Sequence, residues 1–230
     1  MLTGLFEGAR EDAARREQTL PLHDLEKRAR AARPVRDGLR ALAPRDTIHV
    51  IAEIKRRSPS KGELAPISDP VSLALDYEAG GASVISVLTE GRAFDGSLAD
   101  LAAVSEAVQV PVLRKDFLET EYQIIEARAH GADLVLLIMA GLSDERALRL
   151  IGVAQDWGMQ ALVEAHTPGE VDRAIGIGAD IVGVNARDLV TFELDPTLFG
   201  AMVPRFPEGV LRVAESAVSV SQDVKRYREQ

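Results

Sequence analysis

The chain has 230 residues, enough for one domain with a sizeable core, or for one domain with a short extension. Its 36 acidic and 27 basic residues give a net charge of -9, which disfavours nucleic acid as a partner, and its lack of cysteine excludes disulfides, thiolate catalysis and cysteine-ligated zinc. Because the sequence shows neither a targeting segment nor an apolar run of membrane length, it predicts a cytoplasmic protein with no membrane partner.

The first 48 residues predict helices. Ala, Arg, Glu and Leu predominate in them, and Leu2, Leu5 and Ala9 are spaced to share one helix face. From there on the pattern of hydrophobic residues changes. We therefore expect an N-terminal helical extension over residues 1–48 and a second region over residues 49–230.

In the second region, short apolar runs alternate with longer amphipathic segments. Unbroken apolar strands that alternate with helices are typical of a parallel sheet covered on both faces. The runs predict seven strands, over residues 49–55, 82–90, 110–117, 132–140, 159–166, 179–187 and 209–216. The pattern favours an α/β fold of the (β/α)8 TIM-barrel type, which typically has about 250 residues. The barrel would be incomplete at its C-terminal end, with the eighth βα unit missing.

Polar side chains stand at the predicted C-terminal ends of five of these strands, where parallel barrels carry their active sites. They are Glu53 and Lys55, Lys115 and Phe117, Glu164 and His166, Asn185 and Arg187, and Glu215 followed by Ser216. Members of the first four pairs are two residues apart, so in an extended chain both point to the same side. Burying so many charges is costly unless they pair with one another or with a ligand. A structural ion-pair network is the alternative, but their number at strand ends favours a functional site.

The segment EIKRRSPSKG, residues 53–62, places four cations and two hydroxyls after the first strand. In an acidic chain such a cluster is more typical of a site for one small anion than for a polymer. Lys55 is expected to enter the site from the strand end, and Ser58 to supply a hydroxyl. The other cations are expected to alternate away from it: Arg56, Arg57 and Lys61. For these, a solvated loop explains the charge at least as well as contact with a ligand.

Neither a metal nor a dinucleotide cofactor is expected. The histidines are His23, His49, His130 and His166, and their spacing matches no zinc-binding motif. The glycine clusters precede predicted strands, whereas a dinucleotide fingerprint needs GxGxxG at the opening of a helix.

Six segments of the chain match one family in order. They read EIKRRSPSKGEL, SVLTEGRAFDGSLADL, VPVLRKDFLETEYQIIEARAHGADLVLLI, ALVEAH, GVNARDL and VAES. Together they resemble the indole-3-glycerol phosphate synthases of tryptophan biosynthesis. The resemblance implies a (β/α)8 barrel with an N-terminal helical extension, and a carbon-carbon lyase of the carboxy-lyase type without metal or organic cofactor. The implied reaction converts 1-(2-carboxyphenylamino)-1-deoxyribulose 5-phosphate to indole-3-glycerol phosphate, with release of carbon dioxide and water.

The resemblance also implies catalytic roles. Lys115 in RKDF would be the general acid, and Lys55 would be able to share or exchange that role. Glu164 in LVEAH would be the base for dehydration. Glu53 and Asn185 would hold Lys55 and the sugar hydroxyls in position. A desolvated lysine among cations is expected to have a lowered pKa, as an acid working near neutrality requires.

Substrate contacts are implied at five further positions: Ser58, Phe117, Arg187, Glu215 and Ser216. Phe117 would pack on the anthranilate ring. Arg187 and Ser58 would complete the anionic end of the site. The substrate is thus expected to be a small phosphorylated molecule.

Two departures from the family pattern lie at the phosphate end. Ala217 stands where the family motif AESG has glycine, and it is strained if that position needs a positive φ. The second departure is the missing eighth unit, whose loop normally donates amides to phosphate. A gap there would leave two unpaired sheet edges. Three explanations stay open. The chain is a fragment, or it is a degenerate paralogue, or the gap is closed by another chain, by an oligomer or by residues near the termini.

Three functional hypotheses compete. The leading one is an indole-3-glycerol phosphate synthase. The second is a truncated or degenerate non-catalytic barrel that binds a phosphorylated ligand or acts as a scaffold, which the two departures favour. The third is another phosphosugar enzyme on this fold, such as a phosphoribosylanthranilate isomerase. It ranks last because that chemistry typically uses a Cys and Asp pair, and this chain has no cysteine.

Overall fold

A computed structural model describes residues 2–59, 62–64, 66–189, 191–218 and 220–228. The strands of the described residues are β1 (Ile51–Ile54), β2 (Arg57–Ser58), β3 (Gly62–Glu63), β4 (Val84–Leu88), β5 (Val112–Lys115), β6 (Leu134–Ile138), β7 (Gln160–Ala165), β8 (Ile181–Asn185) and β9 (Leu211–Glu215). The α-helices are α1 (Leu2–Thr19), α2 (Leu22–Ala31), α3 (Gly38–Ala41), α4 (Pro70–Ala79), α5 (Leu98–Ala107), α6 (Glu121–Ala129), α7 (Asp144–Asp156), α8 (Pro168–Gly176), α9 (Leu198–Met202) and α10 (Ser221–Arg228). Short 3-10 helices cover Met139–Gly141 and Val203–Arg205.

The central sheet is parallel and has the strand order β1-β4-β5-β6-β7-β8-β9. All residues of β4, β6 and β8 are buried, which is why these strands read as continuous apolar runs. Every strand predicted from the sequence is present, shortened at its ends, while the small antiparallel hairpin of β2 and β3 was not predicted. The α/β prediction is confirmed as a curled, half-barrel parallel sheet of the TIM type. A closed barrel of eight strands stays a prediction.

Five of the helices that connect the strands, α4 to α8, begin at side-chain caps. The capping residues accept a backbone N–H in the first turn and are Asp69, Ser97, Thr120, Ser143 and Thr167. Such caps satisfy amide groups that the helix itself leaves without partners. No helix of the described residues is long and apolar enough to cross a membrane.

The first helices share the core of the sheet. Phe6 and Ala9 of α1 and Leu25 of α2 are buried in the same apolar cluster as the inner strands. Between α2 and α3, the Arg33 guanidinium donates to the fully buried Asp133 carboxylate at 2.7 Å. These contacts fix α1 and α2 to one side of the sheet and bring the start of α1 near the strand ends.

Within the described residues, β1 and β9 are the edges of the sheet, and neither pairs with a further strand. Ile48 and Val50 before β1 are exposed, and so is Val218 after β9. The end of α10 reaches the segment before β1, where Arg228 Nη2 donates to the Asp46 carbonyl at 2.9 Å. For the described residues the expectation of two unpaired sheet edges is met.

Candidate active site

A cavity of 950 Å³ opens at the C-terminal ends of the strands and extends along the side between β1 and β9. Its size lies within the range of about 300–1,000 Å³ that is usual for small-molecule sites. All ten site residues predicted from the sequence line it: Glu53, Lys55, Ser58, Lys115, Phe117, Glu164, Asn185, Arg187, Glu215 and Ser216. His166 lies behind Glu164 and does not line the cavity.

Lys115 is the centre of the charged groups in this cavity. Among the described residues, three carboxylates lie within ion-pair distance of its Nζ: Glu164 Oε2 at 3.2 Å, Glu215 Oε2 at 3.6 Å and Glu53 Oε2 at 3.9 Å. Burial alone would lower the pKa of Lys115, but these negative charges outweigh burial and raise it above the usual lysine range. The expected lowered pKa is therefore wrong, because the neighbours are carboxylates and not cations. No cluster of His, Asp or Glu in the described part of the chain could hold a metal ion.

Glu164 and Glu215 lie side by side and differ in charge. Burial alone would raise the pKa of Glu164, but the Lys115 ammonium and the His166 ring hold it well below its usual range. Burial and the Glu164 charge raise the pKa of Glu215 above its usual range. Gly183 provides the space for Glu215, since a Cβ there would stand 2.0 Å from Glu215 Oε1. The pair therefore holds one carboxylate and one protonated carboxyl at neutral pH.

The end of β1 supplies a lysine and its anchor. Lys55 Nζ donates to Glu53 Oε1, and both side chains are half-buried at the cavity wall. Ser58 in β2 is buried and faces the same cavity. Glu53, Lys55 and Ser58 therefore line the same cavity.

Arg56 and Arg57 of this segment do not line the cavity. Arg56 Nη1 forms an ion pair with Asp100 of α5 at 2.5 Å, and its Nε donates to the Ile67 carbonyl at 2.9 Å. Arg57 is exposed. Lys61 lies outside the described residues. Arg56 thus ties the loop after β1 to α5.

Asn185 at the end of β8 links two neighbouring loops. Its Oδ1 accepts the hydroxyl of Ser216 at 2.8 Å and the backbone N–H of Arg187 at 3.0 Å. The Arg187 guanidinium donates to the Phe192 carbonyl at 3.0 Å, which holds it along the loop after β8. The amide of Asn185 thereby fixes the strand ends of β8 and β9 relative to each other.

An aromatic wall closes the cavity beside Phe117. Phe6 of α1 meets the Phe117 ring edge-on at 5.5 Å between centroids, and Phe94 lies 6.0 Å away. The Glu90 carboxylate holds the loop of Phe94 by accepting the N–H groups of Ala93 and Phe94 at 2.7 and 3.0 Å. Phe94 lines the cavity but was not predicted from the sequence. Its place in a glycine-flanked loop after a buried strand was the available signal.

The backbone after β9 is left-handed at two residues. Ser216 has φ 64° and Ala217 has φ 52°. Ala217, which stands where the resemblance implies glycine, does have a positive φ, so the condition for strain is met.

Comparison with known proteins identifies the family. A family model for indole-3-glycerol phosphate synthase matches residues 2–230. The indole-3-glycerol phosphate synthase of Leifsonia xyli is 57% identical over 228 residues, covering 99% of this chain and 88% of that protein. The enzyme of the same name from Saccharopolyspora erythraea is 52% identical, covering 99% and 84%. The chain therefore belongs to the indole-3-glycerol phosphate synthase family.

A solved structure outside the family supports the fold alone. N-acetylmannosamine-6-phosphate 2-epimerase from Clostridium perfringens superposes with a TM-score of 0.59 at 14% sequence identity. The match covers 78% of this chain and 82% of that one.

Proposed function

We propose that the chain performs the reaction of its family, a decarboxylating lyase step of tryptophan biosynthesis. The substrate is 1-(2-carboxyphenylamino)-1-deoxyribulose 5-phosphate, and the products are indole-3-glycerol phosphate, carbon dioxide and water. The observation that carries the proposal is the Lys115 ammonium, held by carboxylates in a cavity of suitable size.

Lys115 is proposed as the general acid of ring closure. The aromatic carbon attacks the ribulose carbonyl, and the carbonyl oxygen gains a proton as the new bond forms. Because its pKa is raised, Lys115 carries its proton throughout the neutral range, but the same shift makes it a weaker proton donor than a lysine whose pKa lies near neutrality. Lys55, which Glu53 holds at the same wall, is proposed to share or exchange this role.

Glu164 is proposed as the base of dehydration. Its lowered pKa keeps it ionised, although the same shift makes it a weak base. It is proposed to accept a proton from the cyclised intermediate while the hydroxyl takes a proton from a lysine ammonium and leaves as water. Glu53 and Asn185 are proposed to orient Lys55 and the sugar hydroxyls. Orientation of this kind can lower a barrier by several kcal/mol, up to about 7–11 kcal/mol in favourable cases.

The remaining cavity residues are proposed to bind the substrate. Phe117, with Phe94 beside it, would pack on the anthranilate ring. Arg187 and Ser58 would contact the anionic end. Glu215 and Ser216 complete the proposed substrate-binding set: Ser58, Phe117, Arg187, Glu215 and Ser216.

The experiment is the appearance of indole fluorescence when this protein is mixed with the substrate. Lys115→Ala is expected to lower turnover by about 10²–10⁴-fold, because a positioned proton donor is lost. Lys27→Ala is the matched control, since Lys27 is an exposed lysine of α2 paired with Asp24. Its turnover is expected to match the parent. Equal activity in Lys115→Ala, or no turnover by the parent while circular dichroism shows it folded, would contradict the proposal.

A non-catalytic, ligand-binding or scaffold protein is the second candidate. The left-handed backbone at Ala217 and the two sheet edges of the described residues favour it. Binding of a reduced, non-cyclising substrate analogue without turnover of the substrate would support it.

Three further statements stay proposals. The chain is proposed to divide into a helical extension, residues 1–48, and a β/α barrel, residues 49–230. A cytoplasmic location is proposed, with neither a membrane nor a nucleic-acid partner. An oligomer, or a partner chain that closes the barrel, is proposed as an alternative state that the mass of the purified protein in solution will test.

A further inference from the structure

His166 connects the proposed base to a second carboxylate outside the cavity. The two oxygens of Glu164 face different cations: Oε2 lies 3.2 Å from Lys115 Nζ, and Oε1 lies 3.2 Å from His166 Nε2. The other ring nitrogen, Nδ1, lies 3.5 Å from Glu170 Oε2. The His166 side chain is only 7% exposed. The buried ring therefore lies within ion-pair distance of two carboxylates, one of which lines the cavity, while neither ring nitrogen makes a hydrogen bond within the described residues.

Glu170 is held by the backbone, independently of the ring. It lies in the first turn of α8, where its N–H donates to the Thr167 hydroxyl at 3.2 Å. Its Oε2 accepts the backbone N–H of His166 at 2.8 Å. The carboxylate position is thus fixed by the start of the helix, and the ring lies against a stationary negative charge.

We propose that His166 is a positioning residue whose imidazolium, anchored by Glu170, holds the Glu164 carboxylate in place at the cavity. The positive charge of His166 also favours the ionised form of Glu164. The one proton that Glu164 and Glu215 share is therefore expected on Glu215. The inference rests on the proposed function for the role of Glu164 as base.

The groups around the ring and Glu164 include more carboxyls than cations. The charged groups around the ring and the carboxylate that it contacts come from β1, β5, β7, α8 and β9: Glu53, Lys115, Glu164, Glu170 and Glu215. Without the ring, the Lys115 ammonium alone would face the buried carboxyls of Glu164 and Glu215. Burial alone would lower the pKa of His166, but its two carboxylate neighbours raise it to about 9. The ring is therefore a cation at neutral pH.

A packing role alone would have different consequences. If His166 only filled space before α8, its replacement would change stability without changing the pH dependence of turnover. The pH profile therefore separates the two roles, and a second measurement on the ring itself needs no turnover.

The first experiment compares pH profiles of kcat for the parent, His166→Gln and Glu170→Gln. In His166→Gln the alkaline limb near pH 9 is expected to disappear, because no imidazolium remains to lose its proton, with KM nearly unchanged. In Glu170→Gln the amide oxygen is still able to accept the backbone N–H. The alkaline limb that marks loss of the imidazolium is expected to move down by about one unit or more.

Glu121→Gln is the matched control. Glu121 also lies in the first turn of a helix, α6, and pairs with a cation, Arg149, at the surface. Its pH profile is expected to equal that of the parent. A parent-like profile in both His166→Gln and Glu170→Gln would overturn the inference.

The second experiment titrates the His166 ring by NMR in protein labelled at the imidazole nitrogens, without substrate. The expected result is a midpoint near pH 9 that falls by about one unit or more in Glu170→Gln. A midpoint near 6.5, the usual histidine value, would overturn the inference. If the parent lacks turnover, the proposed function fails, while the titration still tests the bridge from Glu164 to Glu170. If the parent turns over and the ring titrates normally, only this inference fails.

Discussion

Replacement of Ala217 by glycine tests whether the turn after β9 contains backbone strain. Ala217 has φ 52°, a left-handed conformation in which its Cβ approaches the following carbonyl. That conformation costs a non-glycine residue roughly 1–2 kcal/mol. Glycine avoids this cost but loses about 0.5–1 kcal/mol through the greater freedom of its unfolded chain. The net expectation is an unfolding free energy about 0.5–1 kcal/mol higher in Ala217→Gly, from the difference of these two terms.

The assay is urea unfolding followed by circular dichroism, with the melting temperature as a second readout. For a chain of this size, 1 kcal/mol corresponds to about 2–4 °C. Ala103→Gly is the matched control, because Ala103 is an exposed residue inside α5 with ordinary helical backbone. The control is expected to lose about 1 kcal/mol. If Ala217→Gly is no more stable than the parent, the turn is not strained and the reasoning fails.

Three further predictions concern buried charge. Arg114→Leu is expected to lose about 3–5 kcal/mol in urea unfolding, because the fully buried Arg114 forms ion pairs with two buried carboxylates. Among the described residues, Asp116 would then have no cation within ion-pair distance, while Glu126 would keep only Arg16. Gly183→Ala is expected to lower kcat/KM more than tenfold with the fold retained by circular dichroism, because its Cβ would displace the carboxyl of Glu215. The pKa of His166 is raised to about 9 in the folded protein, so its contribution to stability is complete below about pH 6.5 and lost as the pH rises through 9. Urea unfolding between pH 6 and 9.5 will measure that loss, which is expected to be smaller in His166→Gln.

The strands were predictable because burial on both faces leaves a direct trace in sequence. The segment LVLLI of β6 has no polar residue, and every one of its side chains is buried. The alternation of side chains along a strand then explains which polar residues at the strand ends point into the cavity. In β5, Arg114 turns toward Glu126 of α6 while Lys115 turns into the cavity. Two consecutive cations of β5 therefore have different roles: Arg114 forms structural ion pairs, and Lys115 is proposed to be catalytic.

The electrostatic character of the site was not predictable from local sequence. The carboxylates around Lys115 come from β1, β7 and β9, which are far apart in the chain. The cations of the segment after β1 suggested a lysine among positive charges. In the structure Arg56 turns to Asp100 instead, and Lys115 lies among negative ones. The direction of the pKa shift follows from these distances, which no spacing in the sequence contains.

The cluster around Lys115 forms a line of alternating charge that runs out of the cavity to α8. Glu170, His166, Glu164 and Lys115 alternate in sign at separations of 3.2 to 3.5 Å. Each inner group has a neighbour of opposite sign on both sides, and this offsets the cost of its burial. Removal of one charge therefore changes the preferred protonation of the next, and apparent pKa values belong to the line as a whole. For the same reason, the effects of single replacements along it are expected to be non-additive. An acidic chain can thus keep a protonated lysine and an ionised glutamate together at neighbouring positions of the cavity, because a histidine outside the cavity places a further positive charge beside Glu164.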